Sequence, residues 1–198
     1  SVTASALNSL DSDSSETINA GGITTITGSL ADVNSAYASA GISGLGDEAV
    51  TLTDTSVSAA TLNTLDGNTT GSVNAGTVTT LAGSSADLTA TYASAGITGL
   101  GNEAVTLTDT SLTVTTLNTL NSNTTGTVDA SKVTTLTGSV EEANTMYSTA
   151  GISGGGDEAI TINNTSVAAS ALNTLDGSTT GKIDASKLTK ITGTGTDA

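Results

Sequence analysis

The chain contains no cysteine, histidine, proline, tryptophan or phenylalanine in 198 residues. Without cysteine and histidine there is no thiolate or imidazole zinc site, no Ser-His-Asp triad, no thiol nucleophile and no haem ligation by these side chains. Basic charge is scarce too. Four lysines and no arginine stand against 19 acidic residues, for a formal net charge of −15. That leaves no basic surface to meet nucleic acid or anionic lipid. No apolar run approaches the roughly 18 residues that a membrane helix needs. What fills the chain instead is 42 threonines, 26 serines and 23 glycines, close to half of its length.

The aromatic residues are only Tyr37, Tyr92 and Tyr147, spaced by 55. Laid out at that period the chain falls into register without a gap: copies 1–55, 56–110 and 111–165, then a partial copy 166–198. The segments GDEAVTLTDT from Gly46, GNEAVTLTDT from Gly101 and GDEAITINNT from Gly156 coincide, as do LNSLDS from Leu7, LNTLDG from Leu62, LNTLNS from Leu117 and LNTLDG from Leu172. A looser internal similarity aligns Ser56–Gly67 with Ser72–Gly83, a step of 16, and the series Leu62, Val78, Ile97, Leu117 continues it with steps of 19 and 20. Such lengths suit the coils of a solenoid, each burying its apolar residues against its neighbours.

The pattern predicts one clear helix per copy. Ser29 with Asp32, Ser84 with Asp87 and Ser139 with Glu142 read as capping boxes. Val33, Tyr37 and Ala40 form an inward apolar face, so the three tyrosines are expected to point inward. Gly41, Gly96 and Gly151 are expected at the left-handed position that ends these helices. Val50-Thr-Leu52, Val105-Thr-Leu107 and Ile160-Thr-Ile162 alternate as strands, and shorter strands fit around Ile18, Val73, Val128 and Ile183. The pairs Leu7/Leu10, Ile23/Ile26 and Val78/Leu81 read as single helical turns or corners. The expected fold is a repeat β-solenoid of parallel coils of about 16–20 residues with short helices at the capped positions. Some eleven coils at about 4.8 Å each give an elongated rod of roughly 50 Å.

The candidate sites are few. GISGLGDEA from Gly41 superficially suggests a phosphate loop, but it leaves a helix and enters a strand, the reverse of what such a loop requires. Asp47, Glu48, Glu103, Asp157 and Glu158 precede the main strand, and Asp54 and Asp109 follow it. Such oxygen-rich rows are weak candidates for calcium, which takes six to eight oxygens; turn and cap hydrogen bonding explains them equally. A carboxylate pair repeated in every copy is architecture rather than a glycosidase site. Asn8, Asn63, Asn118 and Asn173 fit buried hydrogen-bonded corners or solvated turns. Thr51, Thr53 and Thr55 hint at an ice-ordering face, but the strand bearing them is expected only once in three coils, which breaks the row. The departures from periodicity are Lys132, Lys182, Lys187, Lys190 and Met146.

The units TLNTLDGNTTGSVNA, SKVTTLTGS and AYASAGISGLGDEAVTLTDT resemble the tandem repeats of very large cell-surface proteins of marine cyanobacteria, and the likeness runs the length of the chain. Phage fibre repeats use a similar threonine-rich language. The resemblance implies an extracellular location and a structural, adhesive or motility-related surface role, with no catalytic residue to carry over. The expectation is a spacer, stalk or adhesive rod excerpted from a longer array, not an enzyme. It has no cofactor unless calcium stabilises it. Its partners are neighbouring repeats of the same chain and other surface rods or cell-surface components, with no nucleic acid and no membrane insertion.

Overall fold

The computed structural model describes residues 1–193. Strands and helices alternate along them, and every strand pair described is parallel. Seven helices appear among these residues: α1 (Ala4–Asp13), α2 (Leu30–Ala38), α3 (Ala59–Asn68), α4 (Ser85–Ala93), α5 (Val114–Asn123), α6 (Val140–Ser148) and α7 (Ala169–Asp176). The chain divides into two compact units, Ser1–Glu103 and Ala104–Ala198.

In the first unit Val2, Ile26, Val50, Val73 and Ile97 lie side by side on adjacent strands. Ile18 pairs with Ile42, and Val57 with Leu81. In the second unit the same geometry sets Val105 beside Val128 and Ile152, Leu112 beside Leu136, Ile160 and Ile183, and Val167 beside Ile191. Each row is β-branched or leucine, residue types that suit a strand packed on one side. Ile26, Val50, Val73, Leu136 and Ile160 are all buried.

The register corrects the expected coil. Partners lie 24 residues apart, or 23 at Val50–Val73, Val105–Val128 and Ile160–Ile183, not 16–20. The reason is content: most steps must hold a helix of 8–10 residues as well as its strands. The 16-residue similarity equates Leu62, inside α3, with Val78, which lies in the connection before the strand Thr80–Gly83. These positions share composition, not environment.

The helices also outnumber the expectation, two per copy. The pair Leu7/Leu10 sits in α1, and its equivalents sit in α3, α5 and α7, which are helices rather than single turns. Serine, threonine, asparagine and aspartate are weak helix formers, so these segments do not announce themselves. They hold because packing overrides propensity. In α3, Ala59, Leu62 and Leu65 bury one face completely. Ile23/Ile26 and Val78/Leu81, also expected as turns, lead into the strands Thr25–Gly28 and Thr80–Gly83. A strand inserted between two others outcompetes an isolated turn, because both its edges find partners.

The capped helices form as expected at their starts. Ser29, Ser84 and Ser139 each accept from the backbone N–H three residues on, at 3.1 Å. Only the third is a full capping box, because Glu142 reaches back to the Ser139 N–H at 3.0 Å. Asp32 and Asp87 are one methylene shorter and instead accept from the serine hydroxyls at 2.8 and 2.6 Å.

The glycine reading at the other end is wrong. Gly41, Gly96 and Gly151 have no positive φ; the left-handed glycines are Gly44, Gly46 and their equivalents. Helix α2 ends in extended backbone at Ser39. Gly41 is glycine because a Cβ there would lie 2.0 Å from Asp11 Oδ1.

Candidate functional site

Three carboxylates are buried in a core that is otherwise apolar apart from Thr69, Thr91 and Thr124. Glu48, Glu103 and Glu158 are at most 1% exposed. Each sits at the mouth of the strand that follows the left-handed glycines. Glu48 Oε2 accepts from the Tyr37 hydroxyl at 2.8 Å and from the Gly46 N–H at 2.9 Å. Glu158 Oε2 accepts from Tyr147 at 3.0 Å and from Gly156 at 2.7 Å. Glu103 takes the Tyr92 hydroxyl on one oxygen and the N–H groups of Gly101 and Asn102 on the other. The helix that carries the tyrosine is thereby tied to the turn that follows it. The tyrosines are half-buried, their rings in the wall and their hydroxyls on the carboxylate, so they point inward only in part.

This environment holds the Tyr37 and Tyr147 phenols neutral. Burial, with Glu48 adding to it, pushes the Tyr37 hydroxyl well above the usual tyrosine range despite the opposing contact of Thr69. Tyr147 is pushed up to about 12, chiefly by burial and then by Glu158, against a lowering contribution from Thr179. Desolvation penalises the phenolate, and an adjacent carboxylate penalises it further.

The other acidic candidates do different work and do not gather. Asp54 Oδ2 accepts from the Leu30 N–H at 2.7 Å, capping α2 from a connection 24 residues later. Asn164 does the same for Val140 at 2.9 Å, so Asp and Asn exchange there without loss of the bond. Asp47 and Asp157 are exposed, and Asp109 is half-exposed. No three carboxylates converge as a metal site among the described residues.

The asparagine row forms helix-to-helix staples. Asn8, Asn63 and Asn118 donate to the carbonyls of Asp32, Asp87 and Glu142 at 2.9, 2.9 and 3.2 Å. They join α1 to α2, α3 to α4 and α5 to α6. Asn173 lies in α7. Threonines also line up more continuously than expected. Thr3, Thr27 and Thr51 are strand neighbours, and Asn74 interrupts them before Thr98. The file is one residue wide: Ala49 stands beside Thr25.

One corner of the third copy is built differently. Gly155 stands where the earlier copies have Leu45 and Leu100, and Met146 where they have Ala36 and Thr91. A cavity of about 120 Å³ opens there. Met146 is visible in the sequence as a departure from periodicity. Gly155 is not, because it lies in a glycine-rich turn; only subtracting one copy from another isolates it.

Set against family models, curated proteins and solved structures, the chain matches none. No helix among the described residues is long and apolar enough to cross a membrane.

Proposed function

We propose that the chain is a structural repeat segment of a large extracellular cell-surface protein, a spacer, stalk or adhesive rod without catalysis. In this reading it is a β-solenoid whose turns carry helices and whose length grows with copy number. The observation that carries the reading is where the polar groups are used. Glu48, Glu103 and Glu158 face inward onto tyrosine and glycine of their own copy. Asn8, Asn63 and Asn118 face the next helix. A catalytic centre needs a unique convergent cluster, whereas these bonds recur at the sequence period. The excess of 15 negative charges would keep long arrays soluble and mutually repelling.

The test is copy number. Chains lengthened by whole 55-residue copies should gain a constant increment in maximum dimension by small-angle X-ray scattering, with melting temperatures that rise and then level off. A maximum dimension that grows only as the cube root of mass contradicts the proposal. The alternative reading, a calcium-stabilised adhesion module, predicts a melting temperature that climbs with calcium by mass action and falls with EDTA. The structural reading predicts neither.

A further inference from the structure

We propose that the face formed by α7 and the strand Ile183–Asp184 is a docking site for a helix–turn–strand segment of this same repeat, donated by a second chain. The other copies define the occupant. In the first copy, Leu7 and Ala20 cluster with Ala36 and Ile42, and Leu45 packs against that cluster. The Ile18 and Ala20 N–H groups donate to the carbonyls of Gly41 and Ser43 at 2.8 and 2.7 Å. Ser39 donates to Asp11 at 2.6 Å. The second copy repeats the ladder at Val73 and Ala75, and Ser94 donates to Asp66 at 2.7 Å. The third keeps the ladder at Val128 and Ala130. Accordingly Leu7, Leu62, Leu117, Ala20, Ala75 and Ala130 are at most 3% exposed. In the fourth copy the same positions are Leu172, Asp176, Ile183 and Ala185, and position 198 corresponds to Val33, so the sequence holds no equivalent of residues 34–46. Leu172, Ile183 and Ala185 are only half-buried, and Asp176 is exposed. With Asn173 they line a groove of about 300 Å³. Ile183–Asp184 is the last strand of its sheet among the described residues.

The chemistry of this face selects its ligand. An edge strand takes a further parallel strand through backbone bonds, and an apolar groove beside it takes the side chains of a short helix. Asp176 adds a requirement. In the two copies that keep aspartate at this position, the carboxylate takes a serine hydroxyl. A glycine two residues after that serine is needed as well, because a Cβ on Gly41 or Gly96 would lie 2.0 or 2.2 Å from the aspartate oxygen. The occupant therefore reads Ser-x-Gly-Ile with leucine three residues on, as in Ser39 to Leu45 and Ser94 to Leu100. The third copy is an internal counter-example: Asn121 replaces the aspartate, Thr149 the serine and Gly155 the leucine. An intact copy already packs this segment on its own body, so the donor is a segment without its own partner face.

A synthetic peptide of residues 34–46, with fluorescein at its N-terminus, is the probe. Titrated with the full chain, it should show a saturable rise in fluorescence anisotropy. The peptide of residues 144–156, which carries Thr149 and Gly155, should bind about tenfold more weakly or worse, and a scrambled 34–46 peptide should not bind. On the chain, Asp176→Ala should weaken binding about tenfold, the loss of a hydrogen bond to a charged group. Ala185→Leu should abolish it by filling the groove, with the circular dichroism spectrum unchanged. Asp11→Ala should have no effect, because the first copy's face is already covered. Gly41→Ala in the peptide should cost more against the parent chain than against Asp176→Ala, a coupling that reports the docked pose. If Ala185→Leu fails to fold, that cycle decides alone. The proposal is overturned if no saturable rise occurs, if the scrambled peptide binds equally, or if Asp176→Ala and Ala185→Leu both bind undiminished. Self-association of the chain that Ala185→Leu removes, without peptide binding, assigns the face to an intact second copy and overturns it too. The inference uses the repeat's geometry and not the surface role proposed above, so it and the scattering test of lengthened chains fail separately.

Discussion

The Leu45 corner and the Gly155 corner occupy the same place in the repeat and are built differently. At the first, Ser39 donates to Asp11 at 2.6 Å and Leu45 packs against the cluster of Leu7, Ala20, Ala36 and Ile42. At the other, Thr149 turns its hydroxyl back to the Thr145 carbonyl at 2.7 Å, Asn121 Oδ1 is buried without a partner, and glycine replaces leucine. Methionine in place of alanine returns part of the lost volume. What both corners keep is the carboxylate brace between tyrosine and the glycine turn. The brace and the parallel ladder are enough to hold the backbone, so a side chain can be deleted above them and a pocket opens. In a periodic protein, individuality resides in departures from the period.

Four changes sharpen or break that contrast. The largest effect is expected at the shared part. Glu48→Ala strands the Tyr37 hydroxyl and the Gly46 N–H and leaves a void, a loss of about 3 kcal/mol in urea denaturation. Next, Leu45→Gly should convert the first corner toward the third at a cost of about 2 kcal/mol. Adding Ala36→Met to that variant should recover about 1 kcal/mol, more than Ala36→Met does in the parent chain, which a double-mutant cycle reads as coupling. In the opposite direction, Asn121→Asp with Thr149→Ser should rebuild the serine–aspartate bond and gain about 0.5 kcal/mol.

The last change is in pH. Tyr37 and Tyr147 keep their protons above the ordinary tyrosine range, so the folded chain binds protons that the unfolded chain has released. Stability from these groups is fully present below about pH 10 and is lost as pH rises toward about 12 and beyond. Absorbance at 295 nm should show these two hydroxyls titrating late, with unfolding following. Replacing both with phenylalanine should remove that alkaline sensitivity.

Much of this architecture is legible in the residues, and what is not has physical causes. The 55-residue period, the serine caps of α2, α4 and α6 and the strand Ala49–Leu52 are local signals: a side-chain oxygen three residues from the N–H it binds, and a strict alternation of half-buried and buried positions. The helix Ala4–Asp13 and the strand Thr25–Gly28 are decided by partners 24 residues away, which no window around Leu7 or Ile26 contains. Gly41 fits a local helix-ending motif by sequence, yet its true constraint is the Asp11 carboxylate on a neighbouring helix. Among the acidic candidates, the recurrence of Glu48 was visible. Its burial onto Tyr37 was not, because the ten residues between them close only when helix, turn and strand are all in place. Asp47 and Asp157, next in sequence to these glutamates, stay in solvent.

The strands of the first unit stack in a parallel register of 23–24 residues. The chain has no cysteine, so a disulfide can be introduced without competition. Thr27 and Thr51 are direct neighbours across two strands, within the Cα separation a disulfide spans. The double variant Thr27→Cys/Thr51→Cys should oxidise readily in the folded chain and not in urea, while Thr27→Cys/Ser43→Cys, sixteen residues apart, should stay reduced. Ready oxidation of the sixteen-residue pair with none of the 24-residue pair would contradict the register and the architecture built on it.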